Sequence, residues 1–160
     1  MSNKSMTVYE KTKVIMRSDA VVEEFAKVLG TDSTAKSYIS SALMAVANSE
    51  QLKKCSTKSI IKSAIQAATM QLSCEPTTGQ AWLVPYKGQA TFQIGYKGLK
   101  QLAMRTHQYR YINEDVIYEG EELVQNRITG TCELRGGKKS NTIIGYFSYF
   151  ELKDGLNKTL

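Results

Sequence analysis

Apolar residues recur at helical spacing through the first half of the chain and at strand spacing through most of the second. Val21, Val22, Phe25, Val28 and Leu29 share one side of a helix that Ser18 or Asp19 caps and Gly30 closes. Asp32 or Ser33 opens a second helix carrying Tyr38, Ile39, Ala42, Leu43 and Val46. After Ser56, Ile61, Ala64, Ile65, Ala68 and Leu72 recur at helical intervals, leaving Lys58, Lys62, Ser63 and Gln66 on the polar side. Residues 1–17, rich in Ser, Asn, Lys and Thr, read as a flexible tail.

The period changes at Glu75-Pro76-Thr77-Thr78-Gly79, where proline and glycine mark a loop. Ala81 to Tyr86 reads as a strand, with Pro85 placing it at an edge or near a strand end. Lys87-Gly88 fits a two-residue hairpin turn, and Gln89 to Ile94 returns with Phe92 and Ile94 on one face and Thr91 and Gln93 on the other. A short helix follows over Tyr96–Thr106, with Leu99, Leu102 and Ala103 facing inward. The rest reads as a β-meander: Tyr109–Tyr118, Glu122–Asn126, Arg127–Leu134, a turn over residues 135–138, and Thr142–Leu152. Helices, hairpin, helix, then antiparallel strands define an α+β fold, expected as one domain over residues 18–160. A turn signal followed by Leu156 is an odd place for a domain to stop, so a further C-terminal segment is expected.

At 160 residues the chain has the size of one domain with its own core. No stretch approaches the roughly 18 apolar residues of a membrane helix, and residues 1–16 lack the apolar core of a signal peptide. Cys55, Cys74 and Cys132 are odd in number and do not sit at metal-ligand spacing, and His107 is the single histidine. Reduced thiols and no metal are the expectation. The net charge of +6 is informative once localised. From Lys53 to Tyr111 the chain holds nine Lys or Arg and one acid, Glu75, so this span carries +8 and the remainder −2. Trp82, Tyr86, Phe92, Tyr96, Tyr109 and Tyr111 interleave with those cations. Cations neutralise phosphates and aromatic faces stack bases of any identity, so the span points to single-stranded nucleic acid.

Four ordered motifs carry a family likeness. Cys55-Ser56-Thr57-Lys58-Ser59-Ile60 leads through Ala67-Ala68 to Leu72-Ser73-Cys74-Glu75-Pro76. Gly79-Gln80-Ala81-Trp82-Leu83-Val84-Pro85-Tyr86, Phe92-Gln93-Ile94-Gly95-Tyr96-Lys97-Gly98-Leu99, and Val116 to Leu123 follow. Together, over roughly residues 25–155, they resemble the RecT family of phage and prophage single-strand DNA annealing recombinases. Trp82 stands where the family commonly has Tyr, and Ser73-Cys74 replaces the usual Leu-Gly-Leu. The resemblance implies a core like that of the Redβ proteins and ATP-independent annealing in a bacterial host cytoplasm. It also implies homo-oligomers on single-stranded and annealed duplex DNA, a phage exonuclease partner, no cofactor and no membrane association.

Lys97 is the leading phosphate ligand, since it opens a helix directly after Gly95. Lys100 and Arg105 extend the track, and Lys87, Arg110 and His107 are further phosphate candidates. Gln93 and Thr91 are placed to bond phosphate or sugar. Tyr96 is a candidate at the same site, and Trp82 and Tyr86 are candidate base-stacking residues. Trp82 shares a strand face with Val84 and Tyr86, which favours a core position for it. Two other classes compete. Gly95-Tyr96-Lys97-Gly98 matches the GXXG loop of KH RNA-binding modules, although that loop joins two helices. The acids Glu114, Asp115, Glu119, Glu121 and Glu122 would serve a metal-dependent nuclease, but a solvated turn is the simpler reading.

Overall fold

The computed structural model describes residues 6–159. Its contacts divide the chain into two compact units, Met1–Leu102 and Ala103–Leu160, where the sequence reading has one domain over 18–160.

The first unit is built on four helices: α1 (Val8–Met16), α2 (Asp19–Leu29), α3 (Asp32–Ala47) and α4 (Thr57–Thr69). Helix α1 corrects the expected tail; residues 1–5 of that tail lie outside the described residues. Thr7-Val8-Tyr9-Glu10 forms a capping box in which Thr7 N–H donates to Glu10 at 2.8 Å and Thr7 Oγ1 accepts from Glu10 N–H at 3.2 Å. Thr12 and Met16 of this helix are buried, and the Thr12 and Thr57 hydroxyls share a hydrogen bond of 2.7 Å that ties α1 to the start of α4. Helix α2 begins after Ser18 and ends on Gly30 with φ +92°, as its sequence signals require. Thr31 caps α3, one residue earlier than expected, and its hydroxyl accepts from Thr34 N–H. Ser56 caps α4. Phe25, Met16, Ile39, Ile60, Leu72 and Val46 are fully or nearly fully buried in the core these helices share. On α4 the buried stripe is Ile60, Ala64, Ala67 and Ala68; Ile61 and Ile65 are only half-buried.

After a 3₁₀ turn at Pro76–Thr78, β1 (Ala81–Tyr86) and β2 (Gln89–Ile94) form an antiparallel hairpin with Tyr86 opposite Gln89. Lys87 and Gly88 are its two loop residues, with φ +46° and +75°, the signs of the twisted turn that suits right-twisted strands. Helix α5 (Tyr96–Arg105) follows directly.

The second unit contains β3 (Tyr109–Tyr118), β4 (Glu121–Gln125), β5 (Cys132–Gly136), β6 (Ile143–Leu152) and β7 (Asn157–Thr159). All pairs are antiparallel, giving the expected α+β class, but the order is not that of a meander. Strand β3 pairs with β6, which pairs with β7, while β4 and β5 form a separate hairpin between them in sequence. Among the described residues, Ile117 is the one buried apolar side chain of this unit.

Candidate nucleic-acid interface

The hairpin has two unlike faces. Ala81, Leu83 and Ala90 point inward and are buried, with Phe92 and Ile94 half-buried beside them. The outward face pairs Trp82 with Gln93, Val84 with Thr91, and Tyr86 with Gln89. It therefore carries an apolar row on β1 beside a polar row on β2, and no acid. Trp82 is 40% exposed and Tyr86 64% exposed, which overturns the core position expected for Trp82. The face with the smaller side chains turns inward because α4 lies against it and presents small residues. The Lys87 ammonium sits 5.3 Å from the centre of the Tyr86 ring, a cation–π contact at the hairpin tip.

Three serines of α4 and its cap fix the hairpin. Ser56 N–H donates to the Gly88 carbonyl at 2.9 Å, and its hydroxyl donates to Gln89 Oε1 at 2.9 Å. Ala90 N–H donates to Ser59 Oγ, and Ser63 Oγ donates to the Ala90 carbonyl, both at 2.8 Å. Both backbone groups of Ala90 thus point away from β1. Pro85, opposite it, stands where a ladder N–H is not needed. The serines that carry the first motif are structural, and spacing alone gives no sign of their partners.

The glycines of Gly95-Tyr96-Lys97-Gly98 serve close packing. A Cβ on Gly98 would collide with the Gln80 carbonyl oxygen. One on Gly95 would collide with the Gly79 carbonyl and lie 2.8 Å from Trp82 Nε1. Gly95 N–H donates to the Gln80 carbonyl at 2.9 Å. Gly95 thus joins a strand to a helix, where a KH loop would join two helices. The Lys97 stem crosses Gly79, with Cδ 3.3 Å from the position a Cβ there would take.

Lys97 and Tyr96 are exposed at the first turn of α5, Tyr96 by 64%. The hairpin and the helix that follows it in the first unit carry Lys97, Tyr96, Gln93, Thr91, Lys87, Trp82 and Tyr86, with Lys87 at the hairpin tip and Lys97 past its other end. Leu99 is 57% exposed rather than turned inward, while Leu102 is half-buried. Lys100 has an interaction partner within the protein, as does Arg105, which belongs to the second unit. His107, also in that unit, is exposed with φ +57°, and its N–H donates to the Met104 carbonyl to close α5. The Arg110 guanidinium is held by Glu151 at 2.8 Å.

Among the described residues, no three His, Cys, Asp or Glu side chains converge as a metal site. The acids of the proposed nuclease run serve local structure: Glu121 accepts from Tyr118 N–H, Asp115 from Val116 N–H, and Glu119 from the Ser140 hydroxyl. No helix among the described residues is long and apolar enough to cross a membrane. Burial pushes the Cys74 thiol above its ordinary range, and burial does the same to the Tyr38 phenol beside it. The Tyr38 hydroxyl donates to the Leu72 carbonyl, so both groups serve the core rather than a reactive site.

Fold and surface together define an α+β protein with an exposed aromatic hairpin set among lysines. Residues 36–160 match the RecT family, and the chain belongs to that family. It is 43% identical over 150 residues to YqaK, an uncharacterised protein of Bacillus subtilis, covering 92% of this chain and 52% of that protein. It is 26% identical over 130 residues to protein RecT of Escherichia coli, covering 75% of this chain and 48% of the other. The chain thus spans about half the length of the relatives it matches.

Proposed function

We propose that this chain is the strand-binding core of a single-strand DNA annealing protein of phage-type recombination, and that it pairs complementary strands without ATP. The observation that carries the reading is the outward hairpin face. Three large side chains, Trp82, Val84 and Tyr86, stand in solvent beside Gln93, Thr91 and Gln89 with no carboxylate among them. Such a row of rings and amides accepts bases of any sequence. Lys97 and Lys87 neutralise phosphates, Gln93 and Thr91 bond phosphate or sugar, Tyr96, Trp82 and Tyr86 stack on bases, and Lys100 adds a further cation on α5. Arg105, His107 and Arg110 are phosphate ligands of the second unit by itself. Arg110 contributes only once DNA has drawn it from Glu151.

Annealing breaks no covalent bond, and the surface needs no cofactor to hold a strand by its backbone. In this reading the protein is not an enzyme. It works as a homo-oligomer on single-stranded and annealed DNA, beside an exonuclease, in the cytoplasm of a bacterial host. Membership of the RecT family supports this over an RNA-binding or nuclease role.

Two complementary oligonucleotides mixed with the chain, with neither ATP nor Mg²⁺, should pair faster than alone. Lys97→Ala should weaken single-strand binding for every sequence and lower the slope of log affinity against log salt by about 0.7, one phosphate contact on a single strand. Pairing no faster than the unassisted rate overturns the annealing reading, and strands shortened on addition of Mg²⁺ would favour a nuclease.

A further inference from the structure

We infer that a second basic track lies beside the hairpin: the groove between α4 and β2 holds a phosphodiester backbone. The inference rests on the nucleic-acid reading above and assigns a binding role to α4, none of whose residues is among the candidate ligands named from the sequence. The groove has a volume of about 400 Å³. One wall is formed by Lys58, Lys62 and Gln66, exposed at four-residue intervals on one side of α4. Their backbone positions span about 12 Å along the helix axis, the rise of three to four stacked nucleotides. The other wall is Gln89 and Thr91, members of the polar row on the outward hairpin face. Ser59 and Ser63 lie between, with hydroxyls bonded to Ala90, so both are already satisfied.

No acid lines the groove. Some cations elsewhere in the protein are held by carboxylates, Lys53 by Glu50, Lys27 by Glu24 and Arg135 by Glu133. Among the described residues, Lys58 and Lys62 make no salt bridge and have a groove in front of them. Two cations facing a groove with no carboxylate in its lining favour an anion there. The order across the surface says which anion fits. Cations stand on α4, then amides and a hydroxyl on β2, then aromatic and apolar side chains on β1. Phosphate, sugar and base lie in that same order across one strand of nucleic acid. A strand with its backbone against α4 therefore meets a complementary group at each step toward the hairpin's aromatic row.

The test is the salt dependence of binding to a fluorescent single-stranded oligonucleotide. The double variant Lys58→Gln/Lys62→Gln should lower the slope of log affinity against log salt by about 1.4, two phosphate contacts, and weaken binding for all sequences alike. Gln66→Lys, which adds a third cation to the row, should raise the slope by about 0.7. All these positions are exposed, and an unchanged circular dichroism melt shows that the variants are folded. Wild-type slopes in both variants, with Lys97→Ala still weakened, overturn the groove and leave the hairpin site standing. A wild-type chain that binds no single-stranded DNA overturns both.

Discussion

At the scale of single residues, Gly98 shows how a motif is held by packing rather than by chemistry. Its Cα faces the Gln80 carbonyl so closely that no side chain fits. Gly98→Ala should cost about 1–3 kcal/mol through overpacking, read as a thermal midpoint several degrees lower. Gly137→Ala is the control, since nothing lies within 4 Å of a Cβ there and its φ is not positive; equal losses in the two would sink the argument. Trp82 marks the limit of residue-level reading. Alternation correctly places Trp82, Val84 and Tyr86 on one face, but both faces of β1 carry apolar side chains. The choice of inward face falls to the helix that packs there, and that helix is not local in sequence.

At the scale of elements, the hairpin is held to α4 by hydrogen bonds at Ala90. Ser59→Ala removes the acceptor of the Ala90 N–H, so that amide should exchange with deuterium faster, while the Thr91 amide, not bonded to a serine, stays protected. Unchanged exchange at Ala90 would mean that the serines do not set the hairpin's position. Most elements were legible because their signals are local. The Ser18 and Ser56 starts, the Gly30 stop, and the Lys87-Gly88 turn all depend on residues within a few positions of one another. Helix α1 was readable too, since Thr7 and Glu10 are a capping box, but its polar composition masked two buried residues, Thr12 and Met16. The serine contacts and the α4 groove were not legible. They join Ser59 to Ala90 and set Lys62 and Thr91 along one groove, pairs far apart in sequence, and no periodicity encodes such meetings.

At the scale of the whole molecule, the helical unit should be sensitive to alkali. Tyr38 and Cys74 are both held above their ordinary ionisation ranges, chiefly by burial. Each is neutral in the folded state and ionises more readily once unfolded, so the unfolded chain releases protons first. Their contribution is fully present below about pH 8.5, the ordinary thiol value, and is lost as pH rises from there toward the folded values. Thermal midpoints recorded between pH 7 and pH 10 should fall, and fall less in Cys74→Ala; a flat profile would show that burial of these groups carries no linkage. The strand order of the second unit has a consequence in time. Strand β3 is complete at Tyr118, but its partner β6 is not finished until Leu152, with the β4–β5 hairpin made between them. At ordinary synthesis rates that gap is roughly two to seven seconds. Throughout it, a ten-residue strand leaves the ribosome without its partner. The locally closing β4–β5 hairpin draws the two ends nearer during that wait, which shortens the search β6 must make and the time for which β3 is open to pairing with another nascent chain.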